Sequence, residues 1–193
     1  MAGRHKIFDQ ELAMEKASEL FRLKGYKSTS LEDLINVMQI QKGSFYNTFG
    51  SKKDLFLEII KVYDNKSLNN FRKALNETDN PIELIKSIFL KLACDTPNKA
   101  INGCFAGNTI VELDCIDKEL TNQAKLHLIQ LEQIFIEQIE LAKANNKVNP
   151  NLNSEFIGNY LLNLWNGLNI SRRIYPASEE LKKKVEFQLA VLN

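Results

Sequence analysis

Cysteine, histidine and tryptophan are scarce in this chain of 193 residues, at three, two and one. Cys94, Cys104 and Cys115 are odd in number and none belongs to a Cys-x-x-Cys pair, so they build no disulfide framework and suit a reducing compartment. His5 and His127 cannot supply the paired Glu-x-x-His ligands of a di-iron bundle, and neither lies in a His-Glu-x-x-His segment. Dinucleotide fingerprints, P-loops and Gly-x-Ser-x-Gly elbows are missing too, which removes the commonest routes to hydride transfer, nucleotide hydrolysis and zinc chemistry. The expectation is a protein without metal or cofactor that is not an enzyme. No run approaches roughly 18 uninterrupted apolar residues and no signal-like apolar segment opens the chain, so the expected location is cytoplasmic and membrane association is not expected. Glycine (8) and proline (4) are too few for a collagen-like or low-complexity chain, and 44% hydrophobic residues suffice for a full core in one large domain or two small ones.

A strong net charge is also lacking, the formal value being +1, but the distribution is uneven. Residues 1–53 hold nine Lys/Arg against six Asp/Glu. Their placement matters more than the excess: Arg4 and Lys6 at the start, then Lys42, Lys52 and Lys53 around one short segment, where they could converge on a phosphate backbone.

What the chain has throughout is helical periodicity. Leu12, Ala13, Ala17, Leu20 and Phe21 mark one face of a first helix that Gly25 stops. Thr29-Ser30-Leu31-Glu32-Asp33 opens a second, by hydroxyl capping with a reciprocal carboxylate, and its buried side is Leu31, Leu34, Ile35 and Met38. After Gln39-Ile40-Gln41 comes a third, Lys42 to Thr48, too short to persist unless docked. Ser51-Lys52-Lys53-Asp54 starts a long helix reaching Leu75, long enough to join two domains, and Pro81 opens the next. Beyond the small-residue stretch 103–114 lie a long amphipathic segment, 118–144, a loop at 145–151, and two closing helices, 154–175 and 179–192. No segment alternates as a strand. The fold class is all-α: a three-helix helix-turn-helix head over residues 1–50 and a larger C-terminal helical body over 51–193.

In a helix-turn-helix the second helix enters the major groove and its N-terminal side chains reach base edges. Residues 41–49 suit that role. Phe45 and Phe49, four apart, can face inward while Gln41, Lys42, Ser44, Tyr46, Asn47 and Thr48 point outward, and Gly43 admits close backbone approach. Lys52 and the helix starts at Thr29 and Ser30 add phosphate anchors.

The run Ala17 to Leu34, with Lys42-Gly43-Ser44-Phe45-Tyr46 and Phe49-Gly50-Ser51-Lys52-Lys53-Asp54-Leu55, resembles the DNA-binding domain of TetR-family transcriptional regulators over residues 9 to 56. The resemblance implies a homodimeric repressor, released from double-stranded operator DNA by a small-molecule effector held in a variable C-terminal body and paired through its last two helices. Carried over by position, Lys42, Gly43, Ser44, Tyr46, Asn47 and Thr48 fall where the family contacts DNA, and Thr29, Ser30 and Lys52 where it grips phosphate. Asn47-Thr48 departs from the aromatic or basic residue followed by His that is common there, so base preference is not transferable.

A dimer also follows from reach, because one short helix reads few base pairs and two related by a two-fold axis read a pseudo-palindrome. The stripes at Leu164, Trp165, Leu168, Leu181, Val185 and Leu189 are the candidate interface, although internal packing accounts for them equally. Phe105, Asn108, Trp165, Asn166 and Asn169 are the candidate effector contacts, with ordinary helix packing as the alternative. Other functions left open are an all-helical small-molecule carrier and a thiol-based redox sensor using the three cysteines.

Overall fold

Capping chemistry sets where each helix begins. The computed structural model describes residues 8–94, 103–175 and 179–193, so Arg4, His5 and Lys6 lie outside the described residues. Helix α1 (Gln10–Lys24) starts at Asp9, whose carboxylate accepts the Leu12 amide, and ends at Gly25, where φ is +81° and a side chain would be strained. Its buried face is Ala13, Met14, Ala17, Ser18 and Phe21; Leu12, expected on that face, is exposed, because the 3.6-residue period brings Met14 round instead. Helix α2 (Leu31–Met38) begins with the expected capping box, Ser30 exchanging hydrogen bonds with Asp33. Helix α3 (Lys42–Phe49) has eight residues and no side-chain cap, so packing alone holds it.

Helix α4 (Lys52–Glu77) is capped by Ser51, and its 26 residues span about 39 Å. It belongs to two cores. Its first turns give Leu55, Phe56, Ile59 and Ile60 to a cluster with Phe21, Leu34, Phe45 and Phe49, which also takes in Phe105, Leu113 and Leu120 from the body. Its later turns give Leu68 and Leu75 to a second cluster. The head's packing thus continues ten residues past the boundary placed at 50, since the three short helices have no closed core without α4.

Around that second cluster stand α5 (Pro81–Ala93), α7 (Lys118–Ala144), α8 (Ser154–Ile174) and α9 (Glu179–Leu189), with α6 (Phe105–Leu113) set between head and body. A 3-10 turn, Ala190–Leu192, follows α9. Among the described residues there is no strand, and no helix is long and apolar enough to cross a membrane. Of the expected interface stripe, Leu164, Leu168, Leu181, Val185 and Leu189 are buried within the chain in the α5–α7–α8–α9 core, and Trp165 is half-buried against it. Internal packing accounts for their burial, while Leu164, Leu168, Leu181 and Val185 also line an open groove between α8 and α9.

Phe45 is fully buried and its neighbour Tyr46 is 48% exposed. Phe45→Ala is expected to lower the unfolding free energy by about 3–5 kcal/mol, and Tyr46→Ala by less than about 1 kcal/mol, in urea titrations. Equal losses would mean that α3 is rotated from this placement.

Candidate nucleic-acid interface

The turn before α3 fixes how that helix is presented. Gln39 takes a left-handed conformation (φ +58°), its amide bonding back to the end of α2, and Ile40 is drawn into the core with its amide on the Ile35 carbonyl. Phe45 and Phe49 then anchor α3, their rings 5.7 Å apart, with Phe8 6.1 Å from Phe49. At 100° per residue, Gly43 and Asn47 lie opposite this anchored stripe, flanked by Ser44 and Tyr46, with Lys42 and Thr48 at the margins. All are exposed except Ser44, which is half-buried. No hydrogen bond or ion pair with another described residue engages the side chains of Gln41, Lys42, Ser44, Tyr46, Asn47 or Thr48. A Cβ at Gly43 would meet nothing within 4 Å, so no internal contact requires glycine there.

The expected phosphate anchors divide. Ser30 is exposed at the start of α2, as expected. Thr29 is not available: its side chain is fully buried, its hydroxyl donates to the Gly25 carbonyl at 2.7 Å, and its amide bonds the Tyr26 carbonyl. The ammonium of Lys52 donates to the carbonyls of Tyr26 and Thr29 at 2.9 and 2.8 Å and sits 4.3 Å from the centre of the Tyr26 ring. Burial lowers its pKa, against the opposing charge of Glu112. Two of its three donors thus brace the α1–α2 turn. Lys53 turns away from α3 to the body, pairing with Asp117 at 2.8 Å and Glu119 at 2.9 Å, which raise its pKa in that order. The convergence of Lys42, Lys52 and Lys53 on one backbone does not occur, because carboxylates and carbonyls of the protein claim two of them.

The α1–α2 turn is held from its other side by the body. The Glu112 carboxylate, on the last turn of α6, accepts the amides of Tyr26 at 3.0 Å and Lys27 at 2.7 Å. Gly25 makes room for it, since a Cβ there would lie 2.8 Å from a Glu112 oxygen. Head and body are therefore joined by α4, by the Lys53 pairs and by this clasp.

The five candidate effector residues are not gathered into one cavity. Phe105 and Asn108 border a cleft of about 440 Å³ at the head–body joint, where the Phe105 ring lies 5.4 Å from Phe56 and beneath the Arg22 guanidinium. Asn108, Asn166 and Asn169 edge a second cleft beside Cys104 and Gly107. Trp165 alone of the five borders a partly open cavity of about 310 Å³ lined by α4, α5, α7 and α8.

Comparison with known proteins decides what this arrangement belongs to. The family model for bacterial regulatory proteins of the tetR family matches residues 13–59, and that for the tetracyclin repressor-like C-terminal domain matches 90–186. The chain belongs to the TetR family. It is a DNA-binding transcriptional regulator. Similar proteins include the uncharacterized regulator YezE of Bacillus subtilis, 29% identical over 99% of this chain and 100% of that one. Another is the transcriptional repressor ComR of Escherichia coli, 25% identical over 93% and 86%. Among solved structures, a cysteine variant of the TetR-family regulator CifR complexed with 26-base-pair operator DNA superimposes with a TM-score of 0.86 at 21% identity, covering 99% of this chain and 100% of that one. The reduced form of E. coli NemR gives 0.80 at 16% identity, over 95% and 96%.

In this TetR-family protein the sequence signal missed Glu112, because a single carboxylate in a small-residue stretch reads as a solvated side chain. It also missed the cavity walls Phe71, Phe89 and Phe135, whose spacing reads as core. Nothing local marks either role. Glu112→Gln is expected to cost about 1–2 kcal/mol of stability by removing a charge-assisted acceptor, and to speed hydrogen exchange at the Tyr26 and Lys27 amides. Unchanged exchange at those two amides would remove the clasp from the account.

Proposed function

We propose that this protein is a homodimeric repressor that sets α3 into the major groove of a pseudo-palindromic operator and is released by a small-molecule effector. The observation that carries the reading is the outward face of α3, where Lys42, Gly43, Tyr46 and Asn47 are exposed and unengaged around a glycine that the fold itself does not need. Glycine in the first turn of a helix costs less than the ~1 kcal/mol of an interior position relative to alanine, and close approach of another molecule gives that cost a purpose. Gln41, Lys42, Ser44, Tyr46, Asn47 and Thr48 supply donors and acceptors to bases and phosphates, and Ser30 with the α2 amides supplies a phosphate anchor. Thr29 and Lys52 act indirectly, by fixing the turn that carries Ser30.

Pairing is assigned to a different surface from the buried stripe. The outer face of α8 shows Phe156, Asn163, Gly167, Ile170 and Ile174, and α9 adds Phe187, which is 84% exposed. A Cβ at Gly167 would meet nothing within 4 Å, so this face accepts the close approach of a second copy's helix. Release follows if the effector favours a head orientation in which the two α3 helices no longer fit successive grooves. A preference of about 1–3 kcal/mol changes operator affinity about 5- to 150-fold.

One observation favours thiol control as a second reading. Cys104 caps α6, its sulfur accepting the Gly107 amide at 3.4 Å, and α6 is the helix that ends at the Glu112 clasp. Peroxide oxidation of this thiol to a sulfenic acid would alter that cap, and the expected sign is operator release lost in Cys104→Ser.

With an operator recovered by selection from random duplexes, Lys42→Ala should weaken binding across sequences and reduce the salt slope by about 1, while Asn47→Ala should cost about 1–3 kcal/mol and relax preference at one base pair. Gly43→Ala should raise thermal stability by up to about 1 kcal/mol and weaken operator binding. A variant gaining stability with full DNA affinity would refute the close-approach argument. Sedimentation should show a dimer that Ile174→Glu with Phe187→Glu converts to monomer, with loss of operator binding; a persistent dimer would place the interface elsewhere.

A further inference from the structure

The cleft at the head–body joint carries charge that the fold leaves uncompensated. Its walls come from the end of α1, from α6 and from the last turns of α8, and its volume of about 440 Å³ lies within the range of small-molecule sites. Arg22, Lys24, Glu112 and Arg173 are the charged side chains of its lining among the described residues. Lys24 is paired with Asp33 at 3.1 Å, and the carboxylate oxygens of Glu112 are taken by the Tyr26 and Lys27 amides. Arg22 and Arg173 have no carboxylate partner among the described residues. The Arg22 guanidinium lies 5.0 Å from the centre of the Phe105 ring, and Arg173 makes a long contact, 3.5 Å, to the side-chain oxygen of Asn108. Two guanidiniums against one carboxylate leave the cleft with an excess of positive charge.

Both cations are placed by specific contacts. Arg22 is half-buried with its guanidinium over Phe105, an arrangement that leaves the in-plane fork of N–H groups for an oxyanion. Arg173 owes its seat to Gly103, where a Cβ would collide with the guanidinium and where φ is +54°. That seat lies against the start of α6, whose first turn holds no acidic residue to offset the two cations.

The rest of the lining limits what kind of anion fits. Phe21, Phe56 and Phe105 form an apolar floor, and Leu23 and Val111 are exposed apolar lips. Ile170 edges the cleft from the face assigned to pairing. An inorganic anion would leave this apolar surface uncovered, and a doubly charged one would face Glu112 without a further cation to offset it.

We propose that the joint cleft binds a small organic monocarboxylate, its carboxylate held by Arg22 of the head and Arg173 of the body and its apolar part laid against Phe105 and Val111. The claim goes beyond the effector reading given above. It concerns a site between head and body rather than one in the body's interior, and it stands whether or not occupancy changes operator binding.

Calorimetry on the full-length protein tests it with three probes: 3-phenylpropanoate, its neutral amide 3-phenylpropanamide, and inorganic phosphate. The expected result is saturable binding of the carboxylate, roughly tenfold or more tighter than that of either other probe. Arg173→Gln, which alters an exposed side chain outside the core, should weaken carboxylate binding roughly tenfold or more, and Arg22→Gln should do the same. Trp165→Phe, which alters the separate cavity of the body, should leave it within about twofold. Equal binding of acid and amide, tighter binding of phosphate, or unchanged affinity in either arginine variant would each overturn the proposal. So would a loss in Trp165→Phe as large as theirs, or no saturable binding of the carboxylate below about 10 mM.

Discussion

One helix shared by two hydrophobic cores is the constraint on which the rest of the structure depends. Leu55, Phe56, Ile59 and Ile60 close the head, and Leu68 and Leu75 of the same α4 enter the body's core. A rod that is packed at both ends cannot move at one end without cost at the other. The orientation of α3 is thus set at a distance, because α3 has eight residues and is placed by the burial of Phe45 and Phe49 against a core that α4 completes. The clasp of Glu112 on the Tyr26 and Lys27 amides and the pairing of Lys53 with Asp117 and Glu119 add polar links between the same two units.

These links give a cavity in the body and the exposed helix of the head a packed connection. The cavity takes a wall from α4, and the joint cleft lies beneath the α1–α2 turn. A ligand that displaces α4 by a small amount acts on a packed lever rather than on a flexible tether, so a coupling of about 1–3 kcal/mol is within reach of modest differences in packing. The account needs no long-range electrostatics. Lys53, which could have served DNA directly, is spent on holding the head to the body.

Local patterns in the sequence carried much of this. The capping box at Ser30 and Asp33, the inward pair Phe45 and Phe49 with an outward polar face, and the continuity of α4 are each written in a few neighbouring residues, where hydrogen bonding and a 3.6-residue period act. Partnerships across the chain were not legible. Thr29 reads as an exposed cap until Gly25 is seen to take its hydroxyl, and Lys52 reads as a free cation until the Tyr26 and Thr29 carbonyls are found around it. Leu164 and Leu181 have the spacing of an interface and the burial of a core, and periodicity cannot distinguish the two. Residues that were grouped as effector contacts separate into three clefts because helix packing, not sequence proximity, decides which side chains share a void.

The central claim is that the outward face of α3, held in position by the shared helix, lies against base edges. Photo-crosslinking from a photoreactive phenylalanine analogue in place of Asn47, on the selected operator, tests it most directly. The account predicts crosslinks to bases in two half-sites about one helical turn, roughly 34–36 Å, apart or a little more. A protein that holds the operator tightly while position 47 remains unlinked, or links only to protein, would contradict it.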